Sequence, residues 1–132
     1  MLAPDGRLPV LVVEDDPVVL RLCRTVLERE GYLVLTAVDA GDALRVASRA
    51  SSLAVAVVDL ILPDHSGGSL IESLRGAGMT GAIVCMSGYP FADFPGLGKL
   101  ETCPHYFLPK PFTPKQLIEI VATALRETCG QC

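Results

Sequence analysis

Apolar residues along this chain follow two kinds of pattern that alternate. Five short unbroken runs cover residues 8–13, 32–37, 53–58, 82–87 and 105–108. An unbroken run marks a strand buried on both faces, because a parallel sheet covered on both sides has no polar face to alternate with. Between the runs, apolar residues recur three and four apart, the spacing of one helical face. Val19, Leu22, Cys23, Val26 and Leu27 form the first stripe, Ala43, Leu44 and Ala47 the second, and Leu117, Ile118, Val121, Ala122 and Leu125 the last. Boundary signals agree with this reading. Asp16 before Pro17, Asp39 before a helix over about 40–50, and Thr113 before Pro114 are helix-opening pairs, and Gly31 closes the first helix. A further helix is predicted over about 67–76.

Strand and helix in repeated alternation give a parallel sheet with right-handed crossovers. The expected fold class is α/β, a flavodoxin-like doubly wound five-stranded parallel sheet of order 2-1-3-4-5 with helices on both faces. A fourth crossover helix should lie between Ser87 and Cys103, but Pro95, Gly96 and Gly98 there disfavour a continuous helix. A short or broken helix is expected, and its low intrinsic stability makes residues 88–104 a candidate moving part. No repeat, low-complexity tract or linker divides the chain. A single domain over 1–132 is expected, with its core at about 8–126.

Composition narrows the function classes. The chain has 132 residues, half of them apolar, and a net charge of −4. That balance argues against a direct nucleic-acid-binding surface, which needs a basic patch. No apolar run approaches the roughly 20 residues of a membrane helix, and Met1–Arg7 has no signal-like stretch, so a cytoplasmic location is expected. Cys23 and Cys85 fall in helix and strand patterns and read as small buried residues, while Cys103 is in a loop. Cys129 and Cys132 form a C-x-x-C at the chain end, where it opens no helix and reads as a reduced tail.

The chemistry gathers at the carboxyl ends of the strands, where open parallel sheets bind ligands. Glu14, Asp15 and Asp16 follow the first run, Asp59 the third, Ser87 ends the fourth, and Lys110 follows the fifth. Carboxylates brought together repel unless a cation joins them. Mg²⁺ accepts oxygen ligands and keeps several waters beside one or two carboxylates. A carboxylate beside such a metal can attack phosphorus, with Lys110 supplying a second positive charge and Ser87 a hydroxyl donor. The residues therefore read as an aspartyl-phosphate site.

Val12-Val13-Glu14-Asp15-Asp16-Pro17, Val58-Asp59-Leu60-Ile61-Leu62-Pro63-Asp64-His65-Ser66-Gly67, Met86-Ser87-Gly88-Tyr89 and Phe107-Leu108-Pro109-Lys110-Pro111-Phe112 resemble the motifs of response-regulator receiver domains. The likeness spans about residues 8–126 and is closest in look to receivers at the C-terminus of hybrid sensor histidine kinases. It implies that Asp59 is the phosphoacceptor and that Asp15 binds Mg²⁺ (or Mn²⁺) directly. It further implies that Glu14 helps through water and that the backbone carbonyl of Ile61 is a ligand. Ser87 would follow the phosphoryl group, Lys110 would bind it, Phe107 would be the switch aromatic, and Pro111 matches a cis-proline position. The phosphoryl donor would be a histidine kinase or histidine phosphotransfer protein. The output would be partner binding, relay or a phosphorylation-linked dimer, through a surface built from 88–104, the fifth strand and the last helix. Ile61 and Tyr89 stand where the family tunes access of hydrolytic water, and apolar Ile61 implies slow self-dephosphorylation.

Other readings stand beside this one. Asp16 is better explained as a helix cap, and Glu14 as a solvated charge is an alternative. His65 lies in a loop with no second histidine near it in sequence. Ser66-Gly67-Gly68-Ser69 lacks the Lys and Thr of a P-loop. Phe91 and Phe94 fit either a core or a docking patch. A phosphatase of the haloacid dehalogenase type needs an acid two residues after its nucleophile, where this chain has Ile61. A flavin carrier needs a phosphate loop where this chain has Glu14-Asp15-Asp16. A phosphorylation-independent interaction module is the remaining alternative.

Overall fold

The five apolar runs pair into one parallel sheet in the order β2-β1-β3-β4-β5. In the computed structural model, which describes residues 6–50, 52–62, 67–88 and 105–128, the strands are β1 (Pro9–Val13), β2 (Leu33–Ala37), β3 (Val55–Asp59), β4 (Ala82–Ser87) and β5 (His105–Pro109). The helices are α1 (Pro17–Arg29), α2 (Ala40–Arg49), α3 (Gly67–Gly76) and α4 (Pro114–Thr128). The predicted α/β class, strand order and two-faced cover are all present. The segment read as a weak fourth crossover helix lies outside the described residues, as do His65, Ser66, Tyr89, Phe91, Phe94, Cys103, Cys129 and Cys132.

Alternation along each strand divides the core in two. Leu11 and Val13 of β1, Ala56 and Val58 of β3, and Ile83 and Cys85 of β4 pack with Ala40 and Ala43 of α2 and Leu70, Ile71 and Leu74 of α3. Val10, Val12, Val55, Val57, Ala82, Val84 and Met86 face the other way, onto Cys23, Val26 and Leu27 of α1 and Leu117, Val121 and Ala124 of α4. Burying both faces of each central strand supplies the main stabilising term, roughly 25 cal/mol per Å² of apolar surface removed from water. Pro9 is tolerated inside the sheet because it is the first strand residue, where a missing N–H costs least.

The capping signals do what the sequence implied. Asp16 Oδ1 accepts from the Val18 amide at 2.9 Å, so this acid is spent on the helix end. Asp39 Oδ1 accepts from the Asp42 amide at 2.7 Å. Thr113 and Gln116 satisfy each other's backbone amides, at 3.1 and 2.8 Å, a capping box worth about 1 kcal/mol.

Two stripe residues differ from expectation. Leu22 is 37% exposed, and Leu20 packs against the core beside Val19. In α4, Ala124 is fully buried and Ala122 is only half-buried. The fully buried row is Leu117, Val121 and Ala124, spaced four then three, with Ile118 and Leu125 packed beside it as the spacing implied.

The turn into β4 is tightly constrained. A Cβ on Gly81 would lie 2.5 Å from the Ala54 carbonyl oxygen and closer still to that of Leu53. Both obstacles are backbone and cannot swing away. Gly31, with φ of +91°, has open space around it. Gly81→Ala is therefore expected to lower unfolding free energy by about 2–3 kcal/mol, against about 1 kcal/mol for Gly31→Ala, whose cost is backbone strain alone. Urea unfolding of both variants checks this, and equal losses would contradict the close approach.

Candidate functional site

β1 and β3 are neighbours whose outgoing connections run to opposite sides, so a crevice opens at their carboxyl ends. Glu14 stands at the end of β1, and its backbone continues the ladder by donating to Ala37 O at 3.0 Å. Strand alternation then decides its environment. As the next even-numbered residue after Val10 and Val12, Glu14 turns toward the α1 side and is fully buried. The solvated-charge alternative is excluded by that burial. Asp15, one residue on, turns out and is exposed. Asp59 closes β3 and is 6% exposed.

Lys110 ties these elements together. Its backbone amide donates to Ser87 O at 2.8 Å, fixing its point of departure to the end of β4. Strands are spaced about 4.8 Å, so β5 lies roughly 10 Å from β3, and the long lysine side chain reaches across the end of β4. Its Nζ donates to Glu14 Oε1 at 2.6 Å and to Asp59 Oδ2 at 3.0 Å. The other Asp59 oxygen, Oδ1, accepts from the Ile61 amide at 2.9 Å. Both oxygens of Asp59 are thus held, one by an ammonium and one by a backbone N–H. The Lys110–Pro111 peptide is cis.

Burial, and then the neighbouring Asp59 carboxyl, push the Glu14 carboxyl up to about 8, against the opposing pull of Lys110. Burial by itself would lower the Lys110 ammonium, but its hydrogen bonds to Glu14 and Asp59 and their charges outweigh that, and its net shift is upward. Cys23 and Cys85 are free buried thiols. Burial raises both to about 12, with the Glu14 charge adding to the rise at Cys23. These thiols are packing residues, as their positions in the apolar patterns implied.

Glu14, Asp15 and Asp59 each offer an oxygen, and these lie within 4.8 Å of one another. Glu14 Oε2 is buried without a hydrogen-bond partner. Three hard oxygen donors, one of them unpartnered, facing a single ammonium fit a small divalent cation such as Mg²⁺. Ser87 is buried at the end of β4. Phe107 lies beside Cys85 in the β4–β5 ladder and packs on the α2/α3 side of the core, the face to which alternation also assigns Ser87. Tyr106 points to the other face, where its hydroxyl donates to Glu127 Oε1 at 2.9 Å.

A model of the response regulator receiver domain matches residues 10–122. The chain belongs to the response-regulator receiver family. Solved receivers share its fold and extent. The CheY-like receiver domain protein from Methanospirillum hungatei JF-1 superposes with a TM-score of 0.83 at 25% identity, over 96% of this chain and 99% of that one. The receiver domain of the hybrid histidine kinase CckA gives 0.74 at 32% identity, over 89% and 98%. Among curated proteins, transcriptional regulatory protein KdpE of Mycobacterium tuberculosis is 32% identical over 117 residues, 89% of this chain but 50% of its own length. The chain therefore spans about half the length of the curated relatives it matches. Among the described residues, no helix is long and apolar enough to cross a membrane.

Glu14, Asp15, Asp59, Ser87 and Lys110 thus stand together at the carboxyl edge of the sheet. The sequence placed Lys110 at the same edge as the acids; what it did not show was the direct contact of Lys110 with both Glu14 and Asp59, and the complete burial of Glu14. The parity of Glu14 along β1 was the available signal. Three apolar residues that follow β1, β2 and β3, namely Val18, Val38 and Ile61, are 75%, 48% and 50% exposed.

The raised Glu14 carboxyl sets a pH dependence. A group protonated more readily in the folded state stabilises fully below its unfolded value, near 4.5, and that contribution is lost as pH rises through about 8. Thermal unfolding of the metal-free receiver should show Tm falling by several degrees between about pH 5.5 and 8.5, and Glu14→Gln should remove most of the slope. An unchanged slope in the variant would contradict this origin.

Proposed function

We propose that this receiver takes a phosphoryl group from a phosphohistidine onto Asp59. The observation that carries the reading is the convergence on Asp59 of a fixed backbone donor and the ammonium of Lys110. In the transfer, an Asp59 carboxylate oxygen attacks phosphorus, the P–O bond forms as the P–N bond to the donor histidine breaks, and the imidazole departs with the bonding electron pair. The Ile61 amide orients the carboxylate. Lys110 moves its ammonium from Asp59 to a phosphoryl oxygen and offsets part of the two added negative charges. The Ser87 hydroxyl donates to a second phosphoryl oxygen. Glu14, Asp15, Asp59 and the Ile61 carbonyl would hold Mg²⁺, which would supply neutralisation of the phosphoryl charge.

Phosphorylation then biases a two-state surface. Movement of Ser87 toward the new group vacates space on the face it shares with Phe107, and rotation of Phe107 changes the outer surface of β5 and α4. The donor is a histidine kinase or a phosphotransfer protein, and the output is partner binding, relay or dimerisation in the cytoplasm. The receiver promotes its own phosphorylation and hydrolysis and turns over no further substrate. Apolar, half-exposed Ile61 beside the acceptor offers nothing to orient a hydrolytic water, so the phosphorylated state is long-lived.

Intact mass after incubation with acetyl phosphate tests the proposal. With Mg²⁺ the wild type should gain one phosphoryl group, EDTA should abolish the gain, and Asp59→Asn should show none. No gain in the wild type would overturn phosphoacceptance and favour a phosphorylation-independent docking module. A gain that survives in Asp59→Asn would overturn the choice of acceptor.

A further inference from the structure

Asp15 sits on a turn held from both sides. On the β1 side, the Glu14 amide donates to Ala37 O at 3.0 Å and continues the ladder past Val13. On the α1 side, the Leu20 amide donates to Asp16 O at 2.9 Å and opens the helix. Asp15 lies between these two anchors and is exposed. It still offers a carboxylate oxygen within 4.8 Å of those of Glu14 and Asp59. Glu14 and Asp59 are buried and are held by the core around them. An exposed side chain has no such packing, so the backbone on either side sets where Asp15 stands.

Asp16 closes the helix side of that turn. Its backbone is extended, with φ of −75° and ψ of 116°, and the helix begins at the next residue, Pro17. Its Oδ1 accepts from the Val18 amide at 2.9 Å, which ties the side chain to the first turn of α1. Asp16 is not one of the three acids whose oxygens gather at the strand ends. Its oxygen is given to its own helix instead.

Loss of an N-cap side chain costs about 1 kcal/mol and loosens the first helical turn. Here that loosening would begin directly after Asp15. Groups that orient a metal ligand without touching the metal contribute strongly to affinity.

We propose that Asp16 is a positioning residue for the cation site: by capping α1 it holds Asp15 beside Glu14 and Asp59 without being a ligand itself. This role rests on the reading of those three acids as a divalent-cation site and extends it to a fourth side chain.

Mg²⁺ binding by the unphosphorylated 132-residue chain, followed by isothermal titration calorimetry, tests the role, with urea unfolding of each metal-free variant alongside. Asp16→Ala should weaken Mg²⁺ about three- to tenfold. Asp16→Asn and Asp16→Ser keep an oxygen at the cap and should stay within about twofold of the wild type. Asp39→Ala removes the corresponding cap from α2; it should lower the unfolding midpoint by a similar amount and leave Mg²⁺ affinity unchanged. The role is overturned if Asp16→Ala lowers the unfolding midpoint yet binds Mg²⁺ as the wild type does, since the cap would then serve α1 alone. Weakening by Asp16→Asn equal to that by Asp16→Ala would also overturn it, because the effect would then be one of charge. A wild type that takes up no Mg²⁺ would overturn the cation reading itself, a result distinct from the other two.

Discussion

One ammonium group facing two buried carboxyls sets the terms for this receiver. Lys110 Nζ lies 2.6 Å from Glu14 and 3.0 Å from Asp59, and both acids sit at the ends of strands that are otherwise entirely apolar. Removing acids from water at such a place is costly unless each finds a partner or a proton. The fold answers in three ways at once. Lys110 supplies charge, the Ile61 amide supplies a hydrogen bond to Asp59, and Glu14 holds its proton to about 8. The arrangement is left short of positive charge, a donor set that fits a small divalent cation.

The sheet exists to hold that arrangement. Strand order brings β1 and β3 together, the β4 end anchors the Lys110 backbone, and β5 delivers the side chain. The same alternation that buries Val10 and Val12 on one face and Leu11 and Val13 on the other determines that Glu14 is buried and Asp15 exposed. Site and core are therefore one structural decision, and the acids could not be moved by one residue without exchanging their roles.

Much of this was legible in the chain itself. Unbroken apolar runs ending in acids gave the strands and their functional edge, and the caps at Asp16, Asp39 and Thr113 placed three helices correctly. Less legible were features set by tertiary geometry. The partial exposure of Leu22, on the same predicted stripe as buried Cys23 and Val26, is set by tertiary packing rather than by spacing. The double contact of Lys110 joins residues 96 positions apart, a distance over which local patterns carry no information.

The most direct test of the central constraint is the unfolding free energy of metal-free protein at neutral pH, with Lys110→Met made in two backgrounds. In the wild type, the loss of the ammonium should cost about 2–4 kcal/mol, because it leaves a buried carboxylate uncompensated. In a Glu14→Gln/Asp59→Asn background the same change should cost about 1 kcal/mol or less, a difference well outside the error of additivity. An equal cost in both backgrounds would contradict the account, since Lys110 would then be stabilising the fold by something other than the two acids.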